Sequence, residues 1–247
     1  MYEAVRPPPA GASTVARYAA TAARYGFEGV VVRAGQDGTD GAVPEGVAES
    51  YGVDVVDAVE VRVDDPSRAG GAIGNARSSH TLVFLRGGSA RMNRFAVESP
   101  KVDVLTAPLR DGGDLNHVLV RAAADNDVAI EVNLGRVLRA SGGRRVTALR
   151  GLRKLGDLLA KYDAPFVVSA DPASHLEVRA PRELAAVGEA VGFGADRTRA
   201  GLQAWGAVAA RNRERRGEDY VAPGVRRGPY GGADGPDAAG TGEDDSR

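Results

Sequence analysis

The sequence predicts an α/β chain in which strands and helices alternate to build a parallel β/α barrel, closed or nearly so. Short apolar, β-branched runs recur seven times, segments with helical spacing separate them, and 247 residues suit one barrel better than two full domains. Strands alternating with helices imply right-handed crossovers and a largely parallel sheet.

The strand candidates, in order, are 2–5 (YEAV), 27–32 (FEGVVV), 53–63 (VDVVDAVEVRV), 81–85 (TLVFL), 102–106 (VDVLT), 128–134 (VAIEVNL) and 164–170 (APFVVSA). An eighth has one weak candidate, GFGAD at 192–196. Helical spacing joins Val15, Tyr18, Ala19 and Ala22 after Ser13, then Leu115, Val118, Leu119 and Ala122 after Asp114, then Leu152, Leu155, Leu159 and Tyr162. Ser13 and Asp114 are read as N-caps, and Asp65 before Pro66 as a cap with proline at the first helical position. An open doubly wound sheet is the competing architecture, but RPPPAGAS after the first strand lacks the glycine spacing that cradles a dinucleotide. The expected organisation is a single barrel domain over 1–216 with a disordered, partly acidic tail over 217–247; residues 34–46 read as a loop.

Composition removes several functions. The absence of cysteine excludes disulfides, thiolate nucleophiles and cysteine-ligated zinc. His80, His117 and His175 are the only histidines, so the His-X-His pair with which many barrel metalloenzymes begin is missing. No run approaches the roughly 18 to 20 apolar residues of a membrane span, and the first residues lack the apolar core of a secretion signal. A cytoplasmic location with no membrane partner is expected.

The net charge of -1 is unevenly spread: the last seventeen residues carry five acids and one arginine, leaving residues 1–230 at +3. Arginine dominates the 32 basic residues, with only Lys101, Lys154 and Lys161 as lysines. Arginine grips phosphate through two parallel bonds, although its abundance also fits a base-composition bias.

Two concentrations of arginine have positional meaning. EAVR, VVVR, VEVR and VFLR place Arg6, Arg33, Arg62 and Arg86 near the carboxyl ends of four early strands, the face where barrels bind ligands. Such a cluster repels itself unless carboxylates or an anion intervene. Two readings follow: an anion-binding mouth, or an internal ion-pair ring neutralised by Glu60 and Glu131. The second concentration, 136–161, holds eight basic side chains against Asp157 alone; on a helix over 146–162, Arg150, Arg153, Lys154 and Lys161 lie opposite the leucines. A one-sided basic stripe is the electrostatic footprint of a nucleic-acid backbone. RNRERR at 211–216 mixes signs and is weaker.

Catalytic alternatives have little support. Asp171 in SADPASH lacks metal-ligand neighbours, and no nucleophile elbow surrounds Ser141 or Ser169. Glu131 suits a lone acid or base, or an interior partner of arginine.

Residues 103–192 carry a more specific pattern. DVLTAP, DLNHVLVRAAADNDVAIEVNL and LLAKYDAPFVVSADPASHLEVRAPRELAAVGEAVG together closely resemble the ribonuclease P protein component 3 family of archaea, counterpart of the roughly 30 kDa eukaryotic subunit. The resemblance implies a TIM-like, complete or incomplete, parallel barrel related to the polymerase-and-histidinol-phosphatase barrels but without their metal centre. It also implies an RNA-binding subunit of the enzyme that removes the 5′ leader from precursor tRNA, with no catalytic site and no cofactor of its own. The RNA subunit would do the chemistry with Mg2+. Implied partners are ribonuclease P RNA, a small ferredoxin-like protein subunit, other ribonuclease P proteins and, indirectly, precursor tRNA. Carried over onto this sequence, Arg86, Arg110, His117, Arg121, Lys161 and Arg179 face RNA or a partner. The low lysine content and the acidic tail depart from the family pattern. Competing readings are a metal-dependent barrel phosphoesterase using the arginine mouth and Glu131, and a protein-interaction barrel without direct RNA contact.

Overall fold

The computed structural model describes residues 1–36, 43–217, 220–222 and 225–226. Strand β1 (Tyr2–Val5) leads through α1 (Val15–Tyr25) to β2 (Gly29–Gly35), and α2 (Val47–Tyr51) to β3 (Asp54–Val61). Then come α3 (Pro66–Ser79), β4 (Leu82–Arg86), α4 (Ala90–Val97), β5 (Val104–Thr106), α5 (His117–Asp125) and β6 (Ala129–Asn133). The chain continues through α6 (Gly135–Arg139), α7 (Gly142–Tyr162), β7 (Phe166–Ser169), α8 (Pro181–Ala190) and α9 (Ala195–Arg216). Strands β8 (Tyr220–Ala222) and β9 (Val225–Arg226) form an antiparallel pair.

All seven expected strands form, and they lie in one parallel sheet in sequence order from β1 to β7. This is a TIM-like barrel with seven strands. Side chains alternate strictly between its faces. Ala4, Val31, Ala58, Phe84, Val104, Ala129 and Val167 meet inside, whereas Val5, Val32, Val59, Leu85, Leu105, Ile130 and Val168 pack outward against the helices.

The eighth position is filled by a helix and not by the weak strand candidate at 192–196. Gly194 is the N-cap of α9, and that helix packs along both β7 and β1. Trp205, fully buried, enters the barrel beside Phe84 with ring centroids 5.5 Å apart, and its Nε1 donates to the Val168 carbonyl at 2.8 Å. The indole thereby satisfies a carbonyl on the unpaired side of β7. Glycine lets the helix come this close: a Cβ at Gly201 would sit 2.4 Å from Val168 Cγ2, and one at Gly206 would sit 2.6 Å from the Tyr2 ring. The last turns of α9 then cross the amino-terminal ends of the strands. Asn212 donates to Thr81 O and Asp103 Oδ1, Arg213 grips Asp54 with two bonds of 2.8 Å, and Arg211 pairs with Asp127. Part of the RNRERR cluster is thus consumed in holding the barrel floor.

Above Trp205 the seam between β1 and β7 is sealed by a carboxyl group. Glu3 Oε1 accepts from Ser169 Oγ at 2.6 Å, Ala170 N at 3.0 Å and Ala4 N at 3.1 Å. Arg6 N donates to Pro172 O and Ala12 N to Ala173 O, extending the closure upward. Burial pushes the Glu3 carboxyl up to about 8, against the bonds from Ser169 and Ala170 that pull it down.

Local signals were read with small displacements. Thr14, not Ser13, caps α1; the Ser13 hydroxyl instead meets His175 Nδ1 at 2.8 Å. Asn116, not Asp114, caps α5, shifting its buried stripe to Leu119, Val120 and Ala123 and leaving Val118 exposed. Asp65 caps α3 as expected. Within the loop expected over 34–46, β2 runs to Gly35 and residues 37–42 lie outside the described residues. Of the expected tail, 218–219, 223–224 and 227–247 lie outside them.

Two expectations follow. Trp205→Ala should lower unfolding stability in urea by about 3–5 kcal/mol, whereas Trp205→Phe should lose about 1 kcal/mol beyond its packing change for the missing bond to Val168. Because the folded-state value for Glu3 lies above the unfolded one, the unfolded chain releases this proton first. Stability should therefore fall as pH rises from about 4.5 towards 8, by up to about 1.4 kcal/mol per pH unit, and then level off. Denaturation of Glu3→Gln over pH 5–9 should lack that component of the slope.

Candidate nucleic-acid interface and the barrel mouth

The alternation that puts Ala4, Val31, Ala58 and Phe84 inside the barrel also fixes what stands above them. Two residues on come Arg6, Arg33, Glu60 and Arg86, with Arg62 two beyond Glu60. Thr106, Glu131 and Asn133 take the equivalent inward positions on β5 and β6. Arg33 is 1% exposed and ion-pairs with Glu131, with Asp171 at 3.2 Å and with Glu60 at 3.5 Å, its guanidinium lying 5.4 Å from the Phe84 ring centroid. Arg6 pairs with Asp171 at 2.7 Å and with Glu60 at 3.4 Å, and Arg62 with Glu60 at 2.7 Å. Thr106 Oγ1 donates to Glu60 at 2.7 Å, and Asn133 Nδ2 to Asp171 at 3.2 Å.

Three guanidinium groups thus face three carboxylates. Burial would depress the Arg33 guanidinium, but Glu131, Asp171 and Glu60 hold it charged. Burial opposes ionisation of Glu60, yet Arg33, Arg6 and Arg62 bring its carboxyl down to about 2. Burial pushes Glu131 upward, with Arg33 opposing. Of the two readings of Arg6, Arg33, Arg62 and Glu131, this geometry is that of an internal ion-pair ring; Arg33 has no surface to offer an anion, and Glu131 is committed to Arg33. Asp171, set aside by sequence for its poor neighbours, completes the ring. No group of three or more His, Asp or Glu side chains among the described residues is placed to hold a metal ion.

The outer basic residues form a different arrangement. The long helix α7 buries Leu152, Leu155 and Leu159 and exposes Arg144, Arg145, Arg150, Arg153, Lys154 and Lys161. At its end Tyr162 joins two residues of the carried-over set: the His117 ring lies stacked at 6.4 Å and the Lys161 ammonium 5.5 Å from the Tyr162 centroid. Arg121, one turn after His117, is exposed. His117, Arg121 and Lys161 therefore share the α5–α7 surface, and Tyr162 is a member that sequence reasoning assigned to the apolar stripe.

Arg110 lies near Gly88, just beyond Arg86 at the end of β4, in the loop between β5 and α5, and pairs with Asp111 at 3.0 Å. That loop is rigidly held. Fully buried Asn93 on α4 donates to Pro108 O at 2.9 Å and Asp114 O at 3.1 Å and accepts from Gly88 N, while Ala107 and Asp111 adopt φ of 48° and 51°. Left-handed conformations cost about 1–2 kcal/mol per residue, so the surrounding bonds enforce this shape. Arg179 stands apart, exposed before α8, with its guanidinium bonded to the carbonyls of Leu176 and Val178. No sequence signal singled out Asn93, an ordinary polar residue within a short helix.

A family model described as RNase P subunit p30 matches residues 1–217. The chain belongs to that family. Ribonuclease P protein component 3 from Halorubrum lacusprofundi is 54% identical over 93% of this chain and 98% of its own length, and that from Haloarcula marismortui is 55% identical over 92% and 96%. The Methanosarcina mazei protein of the same name is 33% identical, covering 88% and 90%. A chain in the cryo-EM structure of archaeal ribonuclease P with mature tRNA superposes with a TM-score of 0.78 at 22% identity, covering 92% of this chain and 97% of that one. A prolidase crystal structure reaches a TM-score of 0.51 at 10% identity, covering 91% and 77%. These last two likenesses bear on the fold alone and agree with the TIM-like barrel. No helix of the described residues is long and apolar enough to cross a membrane.

Arg33→Met should destabilise the fold by about 3–5 kcal/mol at neutral pH, since three carboxylates lose their shared partner. The deficit should shrink as pH falls, since the Glu131 carboxyl, already pushed upward by burial, takes up a proton once Arg33 is gone, and Arg33→Met combined with Glu131→Gln should recover part of it in denaturant titrations.

Proposed function

We propose that this chain is an RNA-binding, non-catalytic protein subunit of ribonuclease P that supports the catalytic RNA in removing the 5′ leader from precursor tRNA. The observation that carries the reading is the pairing of family membership with charge placement: buried Arg33 is neutralised inside the barrel, while Arg144, Arg145, Arg150 and Arg153 stand exposed along α7, with Arg121 exposed on the neighbouring α5. Exposed cations that neutralise phosphates gain affinity by counterion release without reading sequence. His117, Arg121 and Lys161 are assigned to RNA or partner contact on this basis; Arg86, half-buried at the end of β4, Arg110, half-exposed and paired with Asp111, and Arg179, exposed before α8, are assigned to it on the family resemblance alone. The location proposed is the cytoplasm, where precursor tRNA would be met indirectly, through ribonuclease P RNA and the other protein subunits. Mg2+ chemistry belongs to the RNA in this reading, since the carboxylates of the mouth are engaged by arginine.

A second contact is favoured by one observation. Val118 is 49% exposed between His117 and Arg121. An apolar side chain amid polar ones suits a protein neighbour, and the small ferredoxin-like subunit is the proposed occupant of the α5 face. Crosslinking from position 118 in the assembled particle should capture protein, and crosslinking from position 150 should capture RNA.

Reconstituted precursor-tRNA cleavage at limiting magnesium should rise when the chain and its small partner join the RNA, with no turnover by the chain alone. Binding to duplex-rich RNA should fall with salt at a log-log slope of about -4, equivalent to roughly five neutralised phosphates. A flat response from a correctly folded chain would refute the electrostatic part of the proposal.

A further inference from the structure

The first two turns of α7 overhang the barrel. Residues 141–147 are exposed, and Leu152 is the first fully buried side chain of the helix. Beneath the overhang lies a cavity of about 490 Å³ with an apolar floor that includes Leu109, Leu152 and Leu155. A second hollow of about 670 Å³ shares Asn133, Arg136, Thr147 and Ala148 with the first, so the two form one continuous groove running from Lys154 to Arg144.

The groove lining is of mixed sign, but its acids are engaged: Asp111 pairs with Arg110, Asp114 with Lys154, Glu131 with Arg33 and Asp171 with Arg6, so the charge left over is cationic, and one interior acceptor is unsatisfied. Lys154 is held by Asp114 at 2.6 Å and Arg136 by Leu109 O at 3.3 Å, whereas Arg144 and Arg150 have no hydrogen-bond or ion-pair partner among the described residues. Asn133 lines both hollows; its Nδ2 donates to Asp171, but its buried Oδ1 has no donor. A ligand that fits is anionic where it meets Arg144 and Arg150, presents an apolar group to the leucine floor and offers an N–H to Asn133 Oδ1. An unstacked nucleotide has all three properties, and unpaired RNA is the form that presents them. A duplex hides its bases, and a peptide meets the three conditions only where a tryptophan is flanked by acids.

We propose that the groove beneath the overhang of α7 seats an unpaired RNA strand, with one base in the apolar cavity against Asn133 and flanking phosphates on Arg144 and Arg150. The inference rests on the RNA-binding reading above and adds a strand type and a base-sized pocket to it. The floor is preorganised, because Leu109 belongs to the loop that Asn93 fixes.

The test uses the full chain, a ten-nucleotide oligoribonucleotide with 2-aminopurine at its centre, a blunt RNA duplex of equal length and ribonuclease P RNA. The single strand should bind about tenfold more tightly than the duplex, with a fluorescence rise as the base leaves its stack. Ala148→Trp, which fills the cavity, should abolish both the preference and the rise. Arg144→Ala with Arg150→Ala, at exposed positions where folding is undisturbed, should reduce the single-strand salt slope by roughly 1.4. If Ala148→Trp does not fold, Asn133→Leu, which removes the acceptor, should reproduce the loss of preference. Equal binding of strand and duplex without a fluorescence change overturns the inference while leaving RNA binding intact. Loss of the small protein subunit, rather than of the oligonucleotide, on filling the cavity reassigns the groove to protein and overturns it as well. Failure of every RNA, ribonuclease P RNA included, removes the underlying reading with it.

Discussion

A parallel barrel with seven strands leaves one edge of β7 and one of β1 without backbone partners, and the molecule is organised around sealing that gap. Buried carbonyls and amides cannot stay unpaired cheaply. The indole of Trp205 serves Val168, the carboxyl of Glu3 serves Ala170 and Ala4, and the loops after β1 and β7 bond to each other higher up. Each seal constrains sequence elsewhere. Glycine at 201 and 206 admits the helix, and Arg211, Asn212 and Arg213 anchor its end across the strands that it does not flank.

The upper end of the interior is polar because the strands turn Arg33, Glu60, Thr106 and Glu131 inward there. Arg33 and its three carboxylate neighbours occupy the place where a barrel enzyme would arrange its reacting groups. The charges of the mouth are balanced by its own side chains. The exposed positive charge lies on the outer helices, with Arg144, Arg145, Arg150 and Arg153 solvated along α7. The same residue type thus has two roles. Arginine inside the barrel holds the scaffold, and arginine outside it gives the surface its charge.

Much of this was legible in advance. The seven strands, their parallel order and the solvent-facing stripe of α7 follow from hydrophobic period, which depends only on local spacing. The ion-pair ring was half legible: the recurring arginine at four strand ends was visible, and counting by twos from Ala4, Val31 and Phe84 would have turned those side chains inward. Asp171 was not legible, because its role depends on the closure of β7 against β1. Val118 was misassigned because α5 is capped by Asn116 and not by Asp114, and its core-facing side chains are Leu119, Val120 and Ala123; Tyr162, expected on the apolar stripe of α7, does pack half-buried against the core.

By itself the sequence determined the fold class, the lack of thiol chemistry, the family and the existence of two arginine populations, because each rests on composition, period or motif. Only the tertiary structure decided which arginines are spent internally, what replaces the eighth strand and where a groove opens under α7. Those outcomes depend on contacts between residues as far apart as Glu3 and Ser169 or Thr81 and Asn212, and no local pattern encodes a partner more than a hundred residues away.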